Sequence, residues 1–185
     1  MSNRNALKYI ERISSLMRVA FRQELAREGF QLVHLEALTY LASCNKYSNS
    51  PQHVAEYLGL TKGTVSQTIS FLESVGLVKK NIDLKDRRKL HVLLTARGKR
   101  LVTKFEQLIK LDSAKNDHLS LDQALESLLL SMQKANGFKT FGACRTCIHH
   151  QVTDAGRMCL LTKQGLTEHE KDLICCEHTP HTTTD

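Results

Sequence analysis

The chain has 185 residues, of which 41% are hydrophobic and only 5% aromatic, and it carries a formal net charge of +7 with a pI of about 9.2. This composition predicts one main helical domain with a small appendage, and the positive charge favours a polyanion over a membrane surface as partner. No apolar run approaches the roughly 20 residues of a membrane-spanning helix and no secretory segment follows Met1, so we expect a cytoplasmic protein.

The first 45 residues carry two apolar stripes at helical spacing, separated by Gly29. The first stripe consists of Leu7, Ile10, Ile13, Met17, Phe21 and Leu25, and the second of Leu32, Leu35, Leu38 and Leu41. Apolar residues that recur every three or four positions predict two amphipathic helices. Cys44 belongs to the second helix, where we expect it to act as a small buried hydrophobe.

A helix-turn-helix is predicted over residues 50–76. Ser50 and Pro51 form a cap followed by proline, and Gly59 ends a short helix just before the next helix begins. Thr61 is the N-cap of that next helix, and Gly76 is its left-handed stop. The inward stripe of the second helix is formed by Val65, Ile69 and Leu72.

The opposite face of this second helix is free for a partner. It carries small or hydrogen-bonding side chains that suit the major groove of DNA, and Gln67 has the chemistry to read a base edge. The alternative for Thr64 is a packing role. The candidate DNA contacts on this helix are Lys62, Thr64, Ser66, Gln67 and Ser70.

A wing is predicted over residues 77–94. Residues 77–80 and 90–94 are compatible with strands, and the loop between them is too long for a tight hairpin. Residues 61–110 hold twelve Lys or Arg against four Asp or Glu, an excess of eight that exceeds the net charge of the whole chain. Lys85, Arg87 and Arg88 are therefore candidate DNA contacts, although charge runs are commonly only solvated loops.

Two motifs follow the helix-turn-helix: Asp83-x-x-Asp86-x-Arg88 and Val92-x-Leu94-Thr95-x-x-Gly98. In their residues and in their distance from the helix-turn-helix, the chain resembles the MarR family of bacterial transcription regulators. The resemblance covers roughly residues 5–136. It implies a homodimer whose first and last helices interlock and whose recognition helices enter successive major grooves. It further implies that Arg88 reaches the minor groove with Asp86 as its carboxylate partner. Leu84 departs from the proline that is common in this family.

Two more apolar helical blocks follow the wing and end near Gly137. They contain Leu101, Phe105, Leu108 and Leu111, and then Leu121, Leu125, Leu128, Leu129 and Met132. One small winged domain cannot bury so much apolar helix, so we expect residues 1–137 to form a DNA-binding and dimerisation domain. A two-fold dimer would present its recognition helices about 34 Å apart and read a pseudo-palindromic operator.

Five of the six cysteines lie after residue 137, in the order Cys144-x2-Cys147-x11-Cys159-x15-Cys175-Cys176. In a cytosolic protein this clustering indicates a metal site in a cysteine-rich module of residues 138–185. The predicted ligands are Cys144, Cys147, Cys159 and either Cys175 or Cys176, with His178 as a substitute for one of them. An iron-sulfur cluster is favoured over zinc because a second CxxC knuckle is missing.

These features predict a regulator, repressor or activator, that senses redox or iron status through the cysteine module. One alternative is a structural zinc site combined with small-molecule sensing in the dimer pocket. A second is an architectural DNA binder. A third is a thiol redox protein in which Arg145 lowers the pKa of a neighbouring thiol, although the thioredoxin-type βαβ context is missing. We expect that the protein is not an enzyme. No motif in the sequence identifies the operator or the effector.

Overall fold

The computed structural model describes residues 4–83, 86–87, 89–109, 118–154 and 156–181. The helices are α1 (Arg4–Glu28), α2 (Leu32–Ser43), α3 (Pro51–Leu58), α4 (Lys62–Ser74), α5 (Ala96–Glu106) and α6 (His118–Ala135). The strands are β1 (Val78–Ile82), β2 (Leu90–Leu94), β3 (Gly142–Ala143), β4 (His150–Thr153), β5 (Gly156–Cys159), β6 (Gln164–Leu166) and β7 (Ile174–Cys175). The predicted mainly helical class with small antiparallel β elements is confirmed. Within the described helices, none has the length and apolar character needed to cross a membrane.

Helices α2 to α5 and the β1–β2 hairpin enclose one apolar core. Its most deeply buried side chains are Leu38, Tyr40, Val54, Val65, Ile69, Leu72, Leu77 and Val92. Strands β1 and β2 pair antiparallel, with Val78 opposite Leu94 and Ile82 opposite Leu90. The hairpin begins one residue later than predicted because the Leu77 N–H bonds to the Leu72 carbonyl oxygen at 2.9 Å and so closes the end of α4.

Helices α1 and α6 differ from the core helices, because much of their apolar surface has no partner among the described residues. The C-terminal end of α1 packs through Phe21 and Leu25 against Leu35 and Phe105. Towards its N-terminus the apolar side chains are exposed, with Leu7 at 52% and Ile13 at 55%. On α6 the exposed apolar side chains are Leu121, Leu125, Leu129 and Met132.

The segment after Gly137 forms a small β structure that docks on the winged helix. Strands β4, β5 and β6 form one antiparallel sheet, and β3 pairs with β7. Phe141 and Cys176 are buried in the same apolar cluster as the winged-helix core. The Asn45 N–H donates to the Ile174 carbonyl oxygen at 2.9 Å, which ties β7 to the α2–α3 connection. The cysteine-rich segment therefore rests on the winged helix itself.

Candidate nucleic-acid interface and metal centre

The structure confirms the local design of the helix-turn-helix. Thr61 is extended (φ −71°, ψ 152°) and its side chain accepts a hydrogen bond from the Thr64 N–H at 3.2 Å. Ser50 caps α3 in the same way, accepting from the His53 N–H at 3.3 Å. Gly59 ends α3 in the left-handed region (φ 65°), which a residue with a Cβ adopts at a cost. The turn that begins at Gly59 therefore leads directly into the capped start of α4.

The two faces of α4 separate as predicted. Val65, Ile69 and Leu72 are buried at 1%, 1% and 0% exposure. All the predicted contact residues of this helix are exposed: Lys62, Thr64, Ser66, Gln67 and Ser70. The Thr64 hydroxyl lies 2.9 Å from the Thr61 hydroxyl on the outside of the helix, so Thr64 is not a buried packing residue. The acid in this helix, Glu73, pairs with Lys80 of the wing at 2.7 Å.

The wing loop is held by its own backbone and by a histidine. The Asp83 N–H donates to the Lys89 carbonyl oxygen at 3.0 Å, and the Lys89 N–H donates to the Asp86 carbonyl oxygen at 2.8 Å. Arg87 is exposed beside this closure. Lys85 and Arg88, two of the predicted contacts, lie outside the described residues, and so does the predicted pairing of Arg88 with Asp86.

His91 bridges the wing and the α2–α3 connection, a role that sequence reasoning missed. Its Nδ1 lies 2.6 Å from Asn49 Oδ1 and its Nε2 lies 3.2 Å from Asp83 Oδ2. The Asn49 carbonyl oxygen also accepts from the Val92 N–H at 2.8 Å. The partners of His91 are 42 and 8 residues away, so no local pattern identifies them.

Four cysteines line one cavity between the β4–β5–β6 sheet and the α2–α3 connection. They are Cys144, Cys147, Cys159 and Cys175. His149 and Asn45 lie in the same wall. Cys176 belongs to a different cluster with His53 and Glu177. Cys175 ends β7 and Cys176 lies in the turn that follows, so the two adjacent cysteines have different surroundings.

The four thiols are near one another but not packed as tightly as the ligands of one zinc ion. Among the described residues, the groups of three metal-binding atoms within 4.8 Å of one another include His53, Cys176 and Glu177 and no trio from these four cysteines. Tetrahedral zinc with Zn–S bonds of about 2.3 Å holds its sulfur atoms about 3.8 Å apart. In every trio of these four cysteines, at least one pair of sulfur atoms is therefore more than 4.8 Å apart.

The electrostatics of the cavity oppose four free thiolates. Burial, followed by the proximity of the other three cavity thiols, raises the pKa of Cys144 to about 12. Burial also raises the pKa of Cys175, whereas hydrogen bonds from the Asn45 side chain and the Glu177 backbone lower it. The Thr179 N–H donates to Cys147 Sγ at 3.4 Å. Such N–H donors around sulfur are the outer-shell partners that tune metal-bound thiolates.

A polar atom in the same wall has no partner. Thr162 lines the cavity, and its Oγ1 is buried without a hydrogen-bond partner among the described residues. A buried hydroxyl without a hydrogen bond is costly, and an occupant with acceptor atoms would satisfy it. The donor set and this hydroxyl both fit a sulfur-ligated group in the cavity.

Two side chains from the sequence prediction have other roles. Arg145 forms ion pairs with Glu126 and Asp172 at 3.0 Å each, so its charge is committed to carboxylates. Together with the raised pKa of Cys144, this argues against the dithiol redox alternative, which needs a lowered one. His178 packs below β3, where a Cβ on Gly142 would lie 2.7–2.8 Å from its ring, and it is absent from the cavity wall.

Comparison with solved structures identifies the fold. A mutant of MepR from Staphylococcus aureus, bound to an oligodeoxyribonucleotide, is 25% identical with a TM-score of 0.50, and the match covers 69% of this chain and 98% of that one. CouR from Rhodococcus jostii RHA1, bound to p-coumaroyl-CoA, is 19% identical with a TM-score of 0.52 over 65% of this chain and 86% of that one. The Thermotoga maritima transcriptional regulator Tm0710 is 21% identical with a TM-score of 0.50 over 74% of this chain and 99% of that one.

The fold defined by the helix-turn-helix, the hairpin and the flanking helices is a winged helix-turn-helix. This fold is shared with MepR and Tm0710, which are regulators of the MarR type that the sequence resembles. No protein-family model and no curated protein sequence matches the chain significantly. The match to the MepR mutant spans nearly all of that protein and leaves about a third of this chain without a counterpart.

Proposed function

We propose that this protein is a sequence-specific, DNA-binding transcriptional regulator. The observation that carries the proposal is the exposed polar face of α4, held by a capped, apolar-backed helix beside a basic wing. Support comes from the MepR mutant, whose fold is shared and which is bound to an oligodeoxyribonucleotide. An enzymatic role has less support, because Cys144 and Arg145 lack the environment of a reactive thiol pair.

In this proposal α4 enters the major groove. Gln67 reads a base edge, Lys62 lies where α4 begins and contacts phosphate, and Ser66 and Ser70 allow close approach of the helix. The wing places its basic residues, Lys85, Arg87 and Arg88, against the adjacent minor groove and backbone. Phosphate contacts set the salt dependence of binding, whereas the α4 side chains set its sequence preference.

We further propose that two copies of the chain form the DNA-binding unit. The exposed apolar side chains of α1 and α6 support this proposal, because a surface of this kind on two long helices is costly in water. Leu16 at 51% exposure and Leu129 at 51% are examples. A two-fold dimer would bury both stripes and align two recognition helices for a pseudo-palindromic site.

For the cysteine cavity we propose an iron-sulfur cluster ligated by Cys144, Cys147, Cys159 and Cys175. The grouping of the four thiols in one cavity and the N–H donor beside Cys147 support a sulfur-ligated group, and the missing second CxxC favours a cluster over one zinc ion. Such a cluster supplies one-electron redox chemistry or a site that is lost on oxidation. A structural zinc ion is the alternative occupant.

The position of the cavity suggests how its state reaches the DNA-binding surface. Asn45 lies in the cavity wall, and Asn49, four residues along the same connection, bonds to His91 and Val92 of the wing. Ser50, the next residue, caps α3. This route runs directly through the α2–α3 connection. A second route is α6, because the cysteine-rich segment follows that helix in the chain. A change of cavity occupancy would alter operator affinity only if the wing has one position in the occupied protein and another in the empty protein, and the two positions bind DNA with different affinity.

A second candidate signal is a small molecule. A groove bounded by α2, β2 and α5 is lined by apolar side chains and by Lys46, Lys79 and Lys99. Glu106 is the one acid against these three lysines in the lining, so the groove suits an organic anion with an apolar part. In that case the metal would be structural, and a ligand would have to change operator affinity without changing the metal content.

The first experiment is metal analysis together with an ultraviolet-visible spectrum of protein purified without oxygen. Iron and sulfide with a visible absorbance, lost in air together with operator affinity, are the expected result. One zinc per chain and a colourless sample would overturn the cluster and return the search for a signal to the groove.

The DNA-binding proposal is tested separately by selecting bound sequences from random duplexes. We expect a pseudo-palindromic consensus and a specificity ratio of about 10^3 or more over unrelated DNA. Equal binding of selected and random duplexes would instead indicate an architectural protein.

A further inference from the structure

A second group of metal-binding side chains lies where the cysteine-rich segment meets α3. It consists of His53 on α3 and of Cys176 and Glu177, which follow β7. Their potential ligand atoms all lie within 4.8 Å of one another. Cys176 is 2% exposed, His53 is partly buried and Glu177 is exposed, so the cluster is closed on the sulfur side and open on the carboxylate side.

The α2–α3 connection holds two of these side chains in place. Ser50 Oγ lies 3.0 Å from His53 Nδ1, and the same oxygen caps the helix that carries the histidine. The Cys176 N–H donates to Ser48 Oγ at 2.8 Å. Metal-binding histidines are oriented in this way by a hydrogen bond to one ring nitrogen. The histidine and the cysteine are therefore positioned by a connection that is itself buried at Ser48.

One thiolate, one imidazole and one carboxylate form a ligand set that suits zinc with a fourth position open to water. Lys139 interacts electrostatically with Cys176 and Glu177, while its Nζ lies 2.5 Å from Glu56. This lysine offsets part of the negative charge of the trio when no cation is bound. We propose that His53, Cys176 and Glu177 bind a divalent zinc-type cation, at a site that adjoins the four-cysteine cavity, because Glu177 also lines that cavity.

The site joins two regions of the chain, because its histidine belongs to the helix-turn-helix and its other ligands belong to the cysteine-rich segment. A bound cation would fasten that segment to α3, the helix that precedes α4. Zinc would thereby shift the position of the helix-turn-helix if it binds more tightly when the cysteine-rich segment is docked on α3 than when it is displaced. This regulatory part rests on the proposed DNA binding, whereas the cation site itself does not.

The test counts zinc on the full-length protein, with the four-cysteine centre left as purified. Zinc is added, unbound metal is removed, and zinc per chain is measured for the wild type and for His53→Gln and Glu177→Gln. We expect each variant to hold one zinc fewer, with an affinity loss greater than the 10–100-fold that loss of an outer-shell partner costs. His34→Gln and Glu168→Gln, which lie outside the trio, are the matched controls. Equal zinc in all five proteins would overturn the site.

Further readouts separate this proposal from the others. Circular dichroism confirms that each variant is folded before its zinc is counted. His53 does not line the four-cysteine cavity, so the difference of one zinc between the wild type and His53→Gln is expected whatever fills that cavity. Failure of the cluster proposal therefore leaves this test intact. Cobalt substituted for zinc should give a thiolate charge-transfer band in the wild type that His53→Gln weakens. A change of operator affinity on zinc addition, absent in His53→Gln, supports the regulatory part, and unchanged affinity in the wild type overturns that part.

Discussion

The winged helix and the cysteine-rich segment bury different kinds of side chain. In the winged helix the most buried groups are aliphatic, such as Val54, Leu72 and Val92 at 0–1% exposure. After residue 137 the cysteines are the most consistently buried residue type, whereas Val152 and Leu161 are 64% and 50% exposed. The fold of the winged helix is therefore stabilised by helix caps and by an apolar core. The cysteine-rich segment has strands of only two to four residues and little apolar surface to bury.

This difference predicts that each region fails under a different perturbation. A segment with so small a core needs another source of folding free energy, and bound metal is the usual one. The winged helix has no such need. Loss of metal should therefore loosen residues 138–181 and spare α2 to α5, whereas a core mutation should do the opposite.

The largest effect is expected for Cys147→Ser. This change removes a proposed ligand that is 4% exposed and accepts the Thr179 N–H, so the protein should lose its bound metal. Amide hydrogen exchange should rise over the cysteine-rich segment by orders of magnitude while α4 stays protected. Cys44→Ser is the control, because Cys44 lies in the winged-helix core and should leave the metal content unchanged. Full metal retention in Cys147→Ser would remove this residue from the ligand set.

The converse test is Leu72→Ala. Leu72 is 0% exposed in the centre of the winged-helix core, so the free energy of unfolding should fall by about 2–5 kcal/mol. The metal content should not change. Val152→Ala, at a position that is 64% exposed in the cysteine-rich segment, should stay within about 0.5 kcal/mol. Thermal or denaturant unfolding of both variants measures the contrast, and equal losses would contradict the expectation that the aliphatic core, and not the exposed apolar side chains of the cysteine-rich segment, carries the stability.

The same contrast explains which features the sequence could predict. The caps Ser50 and Thr61 and the stop at Gly76 depend on residues within a few positions, so the helix-turn-helix was predictable almost to the residue. The second strand matches the prediction, whereas β1 starts one residue late because Leu77 closes α4, and it continues to Ile82. Where local chemistry decides the structure, a single sequence is sufficient.

Long-range placement was harder to predict. The spacing predicted Cys144, Cys147, Cys159 and one of the last two cysteines as ligands, and the structure brings the first three together with Cys175 in one cavity. Nothing local could place Cys176 in a different cluster, beside His53. His178, suggested as a substitute for one cysteine, packs against Gly142 and does not line the cavity, and its role as a ligand stays a prediction. The docking of β7 on the α2–α3 connection is a contact across more than 100 residues, for which the sequence offers no periodic signal.

A smaller effect separates base reading from phosphate contact within the winged helix. Gln67→Ala should cost about 1–3 kcal/mol of discrimination at one base position, because its exposed amide is the proposed reader. Arg88→Ala should weaken binding to all duplexes alike and lower the salt slope by about one. Binding titrations on matched and single-mismatch duplexes at several salt concentrations distinguish the two. A salt slope unaltered by Arg88→Ala would contradict the wing assignment.

The smallest effect concerns the link between the two regions. Asn49 is 6% exposed and joins the connection beneath the cysteine cavity to His91 of the wing through a 2.6 Å contact. Asn49→Ala keeps the backbone bond to Val92 but removes this side-chain contact, so it should uncouple the wing from the cavity. Coupling through such a network is worth about 0.5–2 kcal/mol, which corresponds to a few-fold change in operator affinity between the metal-loaded and metal-free protein. Asn81→Ala is the matched control, because Asn81 pairs with His91 in the β1–β2 register but is exposed. If Asn49→Ala retains the full metal dependence of operator binding, the signal travels by another route, and α6 becomes the element to mutate next.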